Sequence, residues 1–237
     1  MKRIAENELN NISNQLQFNM LQPYGFEVKY GFEEDDSLPP VKVDCGNGFN
    51  VLLRGKVDRV DVGEMYASGD DPDSEPPVYF RVIDYKSSAQ TVTIGDIVNG
   101  VKIQLITYIS AVANGLANNP SYAGRKVVPA AAFYYAFNDD VEKLKEHFSG
   151  DFETVKYDKF MQGLYLVKED AMMSLHGGVA KLSSNAEKSQ YALPEGGFEK
   201  LFNQAEKRIG ETAVKMSKGS FPIKPVVKSD GSTPCMY

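Results

Sequence analysis

Two apolar runs, residues 51–61 and 78–86, dominate the hydrophobic pattern of the chain. Both are rich in β-branched and aromatic residues, and an acidic segment separates them, which predicts two antiparallel strands joined by a loop. In the second run Asp84 and Lys86 stand two positions apart, so on a strand they project from the same face, while Tyr85 projects from the other. The pattern therefore predicts a carboxylate and an ammonium side by side on one face of a sheet.

The rest of the pattern predicts further strands and helices around this hairpin. A helical crossover between residues 78–86 and the apolar run 126–137 makes those two strands parallel, so the predicted sheet is mixed. The fold class is therefore α/β, a mixed β-sheet flanked by helices. The other predicted elements are an amphipathic helix over 2–18, strands over 26–32 and 41–45, a helix from Thr93 or Asp96 towards Ala117, a short helix over 139–148, a loop over 168–197 and a helix over 198–218.

Candidate chemistry lies where the two central strands meet. Antiparallel pairing can bring Asp58 beside Asp84, and a buried carboxylate costs several kcal/mol unless a cation accompanies it. Two such carboxylates are the hard oxygen ligands that Mg²⁺ or Mn²⁺ prefers, and Lys86 beside that ion could orient a water molecule and offset charge on a phosphate. The alternative is an Asp84–Lys86 ion pair with no catalytic role.

The next helix adds two hydrogen-bonding side chains to this region. Gln104 and Tyr108 are four residues apart, so they lie on one helical face, one turn from each other. A helix that packs by its apolar residues alone would not need them. Directly after the Asp84–Lys86 strand, they could contact a DNA backbone or support the metal site.

Taken together, residues 55–61, residues 82–88 and the pair Gln104 and Tyr108 resemble the RecB-type branch of the PD-(D/E)xK nucleases. The closest resemblance is to the nuclease domain at the C-terminal end of the AddB subunit, also called RexB, of bacterial AddAB helicase-nucleases. The resemblance extends through most of the chain. It implies a restriction-endonuclease-like fold and one PD-(D/E)xK nuclease domain over residues 1–237, as part of a larger helicase-nuclease subunit.

The resemblance also implies roles for individual residues. Asp58 and Asp84 match the family's metal ligands, together with the main-chain carbonyl of Tyr85, and Lys86 matches the catalytic lysine. Gln104 and Tyr108 match the Q-x-x-x-Y motif. The family carries a further metal-binding histidine on an upstream helix, and its place would fall before residue 1. The implied activity is Mg²⁺-dependent (or Mn²⁺-dependent) exonucleolytic hydrolysis of DNA in double-strand-break repair, and the implied partner is the AddA-type helicase-nuclease protein.

The last residues of the chain are similar to the start of the family's iron–sulfur ligand run, with Cys235 in the first ligand position. A 4Fe–4S cluster needs four thiolates, and this chain has two cysteines. Cys45, between the first strands, does not match the upstream ligand. We therefore expect no cluster in this chain, and expect one in the full-length parent.

Composition fits this picture and limits it. Hydrophobic residues make up 42% and charged residues 24% of the 237 residues, as in ordinary globular domains. No apolar run approaches the ~20 residues that span a bilayer, and the few cysteines agree with a reducing, cytoplasmic environment. The formal net charge of −6 counts against free-standing DNA binding, so helicase portions would grip the DNA. Candidates for a local basic rim are Arg54, Lys56, Arg59, Arg81, Lys86 and Lys102.

Two other functions are compatible with the sequence. A nuclease fold can serve as a non-catalytic scaffold that guides DNA or assembles a complex, although every motif residue is present here. A free-standing RecB-like exonuclease would keep the chemistry without the helicase.

Overall fold

A six-stranded mixed sheet and a separate two-stranded sheet form the frame of the computed structural model, which describes residues 10, 12–13, 15–17, 19–136, 161–177, 179–180, 188–222, 227 and 231. The strands are β1 (Gln22–Tyr30), β2 (Val41–Asp44), β3 (Asn50–Leu53), β4 (Gly55–Glu64), β5 (Val78–Lys86), β6 (Val127–Ala136), β7 (Gln162–Leu166) and β8 (Ala192–Leu193). The larger sheet has the order β1-β4-β5-β6-β7-β8, and β2 pairs with β3.

The strand directions confirm the predicted mixed sheet. β4 is antiparallel to both β1 and β5, whereas β6 runs parallel to β5. β7 is antiparallel to β6, and β8 is parallel to β7. β5 therefore lies inside the sheet, and its residues from Val78 to Asp84 are all buried. A strand covered on both faces reads as a nearly continuous apolar run, which is the pattern that made it visible in the sequence.

The helices are α1 (Ile94–Val98), α2 (Gln104–Ala117), α3 (Met172–His176) and α4 (Gly197–Ser217), with a short 3-10 turn at Pro120–Tyr122. Residues 10, 12–13 and 15–17 are also helical, within the predicted N-terminal helix. The predicted helix over 139–148 lies outside the described residues. No helix among the described residues is long and apolar enough to cross a membrane.

Two layers of buried side chains cover the larger sheet. On one side, which we call the α2 face, α2 packs its apolar residues against β5 and β6. On the other, the opposite face, a smaller cluster includes Ile83, Phe133 and Tyr165. Alternate residues of β5 thus serve different layers, with Val82 on the α2 face and Ile83 on the opposite face.

The crossover between β5 and β6 contains two helices where the sequence predicted one. Thr93 caps α1, because its side chain accepts from the Asp96 amide while the Asp96 carboxylate accepts from the Thr93 amide. Gly100 follows α1 with φ of +74°, a left-handed conformation that ends a helix and suits glycine. The chain then starts α2 afresh at Gln104, so Gln104 lies in the first turn of its helix.

Three other predicted elements are corrected. The run 51–61 is divided at Arg54, because β3 pairs with β2 while β4 pairs with β1 and β5. The segment 168–197, predicted as a loop, contains α3 and β8, which are too short to show a period in the sequence. The predicted helix over 198–218 is present as α4, but it buries mainly its first half, and Met216 near its end is 55% exposed.

His176, at the end of α3, is a fully buried histidine on the opposite face. Its Nε2 lies 2.9 Å from the Leu166 carbonyl oxygen, which fixes Nε2 as the protonated nitrogen. The rings of Tyr165 and Phe133 flank it, with centroids 5.5 and 6.4 Å away. Burial, helped by the positive charge of Arg81, lowers the pKa of His176 to about 4, and the Leu166 carbonyl only partly opposes this. The folded protein therefore holds this imidazole neutral.

We expect His176 to make the folded protein less stable in acid. Between an ordinary histidine pKa of 6.5 and the folded value of about 4, the unfolded chain binds a proton that the folded chain does not. The free energy of unfolding should therefore fall as the pH decreases through this range, by about 3 kcal/mol from this group. Urea titrations of the wild type and of His176→Gln, which keeps an N–H donor, measure the effect. A slope with pH that is the same in both proteins would contradict it.

Candidate active site

Two carboxylates lie together at one end of the central strands, where β5 ends and β4 starts. The last registered pair is Arg59 with Ile83, so Asp58 and Asp84 lie one position beyond it, on the α2 face. The Asp58 carboxylate accepts a hydrogen bond of 2.8 Å from the Tyr85 amide, which fixes it against the neighbouring strand. Asp84 is 2% exposed, whereas Asp58 is half-buried.

Lys86 lies on the same face of β5 as Asp84, as its spacing predicts. Its Nζ is 2.5 Å from Asp84 Oδ2, in an ion pair that lacks the alignment of a hydrogen bond. The ammonium also lies 5.5 Å from the ring centroid of Tyr134 on β6. The Lys86 side chain is 30% exposed, so its charged end is placed between solvent and a buried carboxylate. Tyr85 points to the opposite face, where its ring contacts Tyr135 edge-on.

The first turn of α2 continues this network. Gln104 Oε1 accepts from Lys86 Nζ at 3.1 Å, and Gln104 Nε2 donates to the Tyr108 hydroxyl at 2.8 Å. The two contacts fix which end of the amide faces which partner, because only the oxygen can accept from an ammonium. The side chains of Asp84, Lys86, Gln104 and Tyr108 thus form one continuous chain of contacts from β5 to α2.

The electrostatics of the site favour a bound cation. Burial raises the pKa of Asp84; the adjacent Lys86 lowers it, and the Asp58 charge raises it further. Burial also raises the pKa of Tyr108 to about 12, and the charges of Asp84 and Asp58 act in the same direction, whereas the Gln104 hydrogen bond opposes it. Tyr108 is therefore a neutral phenol near pH 7. A positive ion beside the two carboxylates would relieve the cost of ionising them together.

The donor atoms fit a hard divalent cation. Asp84 Oδ2 is buried and, apart from its ion pair with Lys86, makes no hydrogen bond within the described part of the chain, so it can also face a ligand. Within those same residues, His, Cys, Asp and Glu form no cluster of three or more. The described side chains therefore offer Asp58 and Asp84, and water and phosphate oxygens would complete the shell, as is common for Mg²⁺. Mn²⁺ accepts the same oxygen donors.

Comparison with protein families places this arrangement in a known group. The model of the PD-(D/E)XK nuclease superfamily matches residues 1–237. The chain belongs to the PD-(D/E)XK nuclease superfamily. This confirms the family resemblance read from the Asp-x-Lys strand, and the mixed sheet flanked by helices agrees with the restriction-endonuclease-like fold.

Curated relatives of this PD-(D/E)XK chain are named as the B subunit of an ATP-dependent helicase/deoxyribonuclease. The protein of Alkaliphilus metalliredigens is 27% identical over 248 residues, which cover 100% of this chain and 20% of the relative. That of Clostridium novyi is 27% identical over 251 residues, covering 100% of this chain and 21% of the relative. That of Symbiobacterium thermophilum is 38% identical over 144 residues, covering 61% of this chain and 11% of the relative. The chain therefore spans about a fifth of the length of the relatives that it matches throughout.

The structure brings most of the predicted site residues of this PD-(D/E)XK chain to one place. Asp58, Asp84, Lys86, Gln104 and Tyr108 lie together on the α2 face. The Tyr85 amide is bonded to Asp58, which ties the segment carrying the predicted carbonyl ligand to β4. Cys235, the predicted iron–sulfur ligand of the parent, lies outside the described residues.

The prediction of a basic rim is wrong for two of its residues, Arg59 and Arg81. Arg59 and Arg81 are 1% and 0% exposed, because both bind the carboxylate of Asp61 on the opposite face. The sequence contained one signal of this, since Arg59 and Asp61 are two apart on a strand and share a face. Tyr30, which packs against Tyr108, was also missed, and nothing in the local sequence distinguishes it from other aromatic core residues.

Proposed function

We propose that this chain is the nuclease domain, over residues 1–237, of an AddAB-type helicase-nuclease. In this proposal it hydrolyses phosphodiester bonds in DNA, in a Mg²⁺-dependent reaction that removes nucleotides from a strand end during double-strand-break repair in the cytoplasm. The observation that carries the proposal is the continuous contact chain Asp84–Lys86–Gln104–Tyr108 beside Asp58, in a member of the PD-(D/E)XK superfamily.

Asp58 and Asp84 would hold Mg²⁺ or Mn²⁺, with the carbonyl of Tyr85 as a third ligand. When bound, the ion lowers the pKa of a coordinated water and stabilises charge on the phosphate. The protein side chains prepare this site in advance. The Tyr85 amide holds the Asp58 carboxylate, and burial between β4 and β6 holds Asp84, so neither carboxylate must be ordered when substrate arrives.

Lys86 would act on the attacking water and on the phosphate. Its ammonium carries three N–H donors, and contacts with Asp84 and Gln104 direct it while leaving part of it open to solvent. A donor that is held in place before the reaction stabilises developing negative charge without reorganising. Gln104 and Tyr108 would keep the ammonium oriented and contact the DNA backbone or ordered water.

The relatives' names support the larger assembly in this proposal. They describe the B subunit of an ATP-dependent helicase/deoxyribonuclease, and this chain matches about a fifth of that polypeptide. The partner would be an AddA-type helicase-nuclease protein, and the remaining portions would supply the grip on DNA that a net charge of −6 does not favour here. In the full-length parent, Cys235 would be one ligand of a 4Fe–4S cluster.

Metal titration on this chain tests the proposal. We expect Mn²⁺ or Mg²⁺ to bind to the wild type in calorimetry, and binding to be lost in Asp84→Asn, since the amide has no charge to offer the ion. Cleavage of single-stranded DNA, assayed in parallel, should be lost in the same variant. Asp44→Asn is the matched control, because Asp44 is exposed at the end of β2 and, among the described residues, its carboxylate accepts a hydrogen bond only from the Gly46 amide.

The outcomes separate the candidate functions. Metal binding and cleavage that both disappear in Asp84→Asn support a self-sufficient nuclease. Full cleavage by Asp84→Asn would overturn the assignment of this site. Metal binding or cleavage that is absent even from the wild type would favour either the non-catalytic scaffold or a need for the family's upstream metal-binding histidine, and a longer chain that includes the upstream helix would separate the two.

A further inference from the structure

Tyr30, the last residue of β1, lies beside the candidate site without being part of any motif. The residue is 4% exposed, and its ring meets that of Tyr108 edge-on, with the ring centroids 6.2 Å apart and the planes at 76°. Aromatic rings favour this edge-to-face arrangement, which stabilises the contact beyond the apolar area that it buries. Tyr108 in turn accepts from Gln104, whose other end accepts from Lys86. Tyr30 therefore supports the far end of the chain of contacts that holds the ammonium.

The position of the Tyr30 ring is set by Gly55 on β4. The two residues face each other in the β1–β4 pair. A Cβ at position 55 would lie 2.6 Å from the Tyr30 hydroxyl oxygen and 2.8 and 2.9 Å from its Cζ and Cε1. The ring tip thus occupies the space of the missing side chain. Gly55, the first residue of the motif segment that carries Asp58, is needed here to seat Tyr30 against Tyr108.

A second contact holds the distal part of α2 and does not involve the site. The Leu38 side chain lies over Gly115, where a Cβ would come within 2.7 Å of Leu38 Cδ2. Leu38 is bridged to Tyr30 through the backbone, so both contacts arise where the chain leaves β1. Tyr30 and Leu38 therefore pack on the same helix, but only Tyr30 contacts a residue that leads to Lys86.

We propose that Tyr30 is a positioning residue for the reaction, which acts by holding Tyr108 and, through Gln104, the orientation of the Lys86 ammonium. This inference rests on the proposed nuclease function. Among the described residues, Tyr30 makes no hydrogen bond or ion pair with the two carboxylates or with Lys86. Its loss should therefore change the chemical step and leave metal binding intact. The ring, more than the hydroxyl, makes the contact with Tyr108.

The test compares Tyr30→Leu with Tyr30→Phe, by kinetics of single-stranded DNA cleavage. Because a displacement of about 1 Å at a catalytic group can cost about 10²-fold in rate, we expect Tyr30→Leu to lower kcat by about 10- to 100-fold. KM and Mn²⁺ affinity should stay within about twofold, since Asp58 and Asp84 are untouched. Tyr30→Phe keeps the ring and should retain kcat within about threefold.

Leu38→Ala provides the matched control for a purely structural role. It removes side-chain packing on Gly115 of the same helix and keeps the backbone bridge to Tyr30, so it should lower the melting temperature while kcat stays within about threefold of wild type. Equal losses of kcat in Leu38→Ala and Tyr30→Leu would overturn the inference, because general loosening of α2 would then account for both.

Gly55→Ala tests whether Gly55 sets the position of the Tyr30 ring, because the effects of the two substitutions on kcat should then not be independent. An added methyl group should push the Tyr30 ring and lower kcat, but it should have little further effect when Tyr30 is already leucine. Independent effects that multiply in the double variant Gly55→Ala/Tyr30→Leu would overturn the inference. Asp84→Asn separates a failure of the proposed function from a failure of the inference about Tyr30. If Asp84→Asn is inactive while Tyr30→Leu has wild-type kcat, the inference alone fails. If Asp84→Asn is fully active, the proposed function and the inference fail together.

Discussion

Replacing Lys86 with methionine is expected to reduce kcat for DNA cleavage by about 10²- to 10³-fold, the usual loss when one preorganised donor is removed from an active site. Methionine keeps the length of the apolar stem and removes the charge that lies between Asp84 and Gln104. The Mn²⁺ affinity should persist, because Asp58 and Asp84 remain. Single-turnover cleavage measured beside calorimetry distinguishes a loss of chemistry from a loss of metal.

Lys126→Met is the control for this substitution. Lys126 is also in an ion pair, with its Nζ 2.6 Å from Glu195 Oε1, but both side chains are more than half exposed. Lys126 comes just before β6 and Glu195 just after β8. Exposed pairs of this kind contribute at most about 1 kcal/mol, so the variant should cleave like the wild type. A Lys86→Met protein with the kcat of Lys126→Met would show that the Asp84–Lys86 contact is only an ion pair, which is the alternative that the sequence leaves open.

The sequence predicted the contacts that depend on short-range geometry. Asp84 and Lys86 share a face because a strand repeats every two residues, and Gln104 and Tyr108 are neighbours because a helix repeats nearly every four. Both rules hold whatever surrounds the element. The hydrogen bond from Gln104 to Tyr108 and the ion pair between Lys86 and Asp84 follow from them directly.

Contacts that depend on the register between distant strands could not be predicted in this way. Arg81 stands directly opposite Asp61 in the β4–β5 pair, across a loop whose length does not fix the register. Without that register, Arg81 is predicted to be a surface residue, which is the ordinary place of an arginine. Tyr30 and Gly55 are the same case, since only the β1–β4 pairing brings them together.

The element boundaries failed for related reasons. The break between β3 and β4 at Arg54 arises because the two halves pair with different strands, and no local pattern records which partner a strand takes. α3 and β8 have only five and two residues, so neither repeats its hydrophobic pattern often enough to be distinguished in the sequence. His176 in α3 is buried by tertiary packing between Phe133 and Tyr165, which a polar, glycine-containing segment gives no reason to expect.

The second large effect concerns the buried cluster of Arg59, Asp61 and Arg81, on the opposite face of the two strands that carry the candidate site. Asp61 Oδ1 accepts from Arg59 Nε at 2.6 Å, and its Oδ2 accepts from Arg59 Nη2 at 2.9 Å and Arg81 Nε at 2.6 Å. Asp61→Asn would leave two buried guanidinium groups without this counter-charge. We expect it to lower the free energy of unfolding by about 3 to 5 kcal/mol and the melting temperature by roughly 10 °C, measured by urea and thermal unfolding.

Two comparison proteins show whether charge is the cause of that loss. Glu195→Gln breaks an exposed ion pair with Lys126 and should cost no more than about 1 kcal/mol. In the triple variant Arg59→Met/Asp61→Leu/Arg81→Met the cluster becomes apolar, and we expect it to be more stable than Asp61→Asn, because replacing a buried ionic group as a unit is often neutral. Some loss relative to wild type should remain, since Arg81 also donates to the carbonyls of Leu21 and Leu175. A triple variant less stable than Asp61→Asn would mean that the geometry of the arginines, and not the charge of Asp61, holds β4 and β5 in register beneath Asp58 and Asp84.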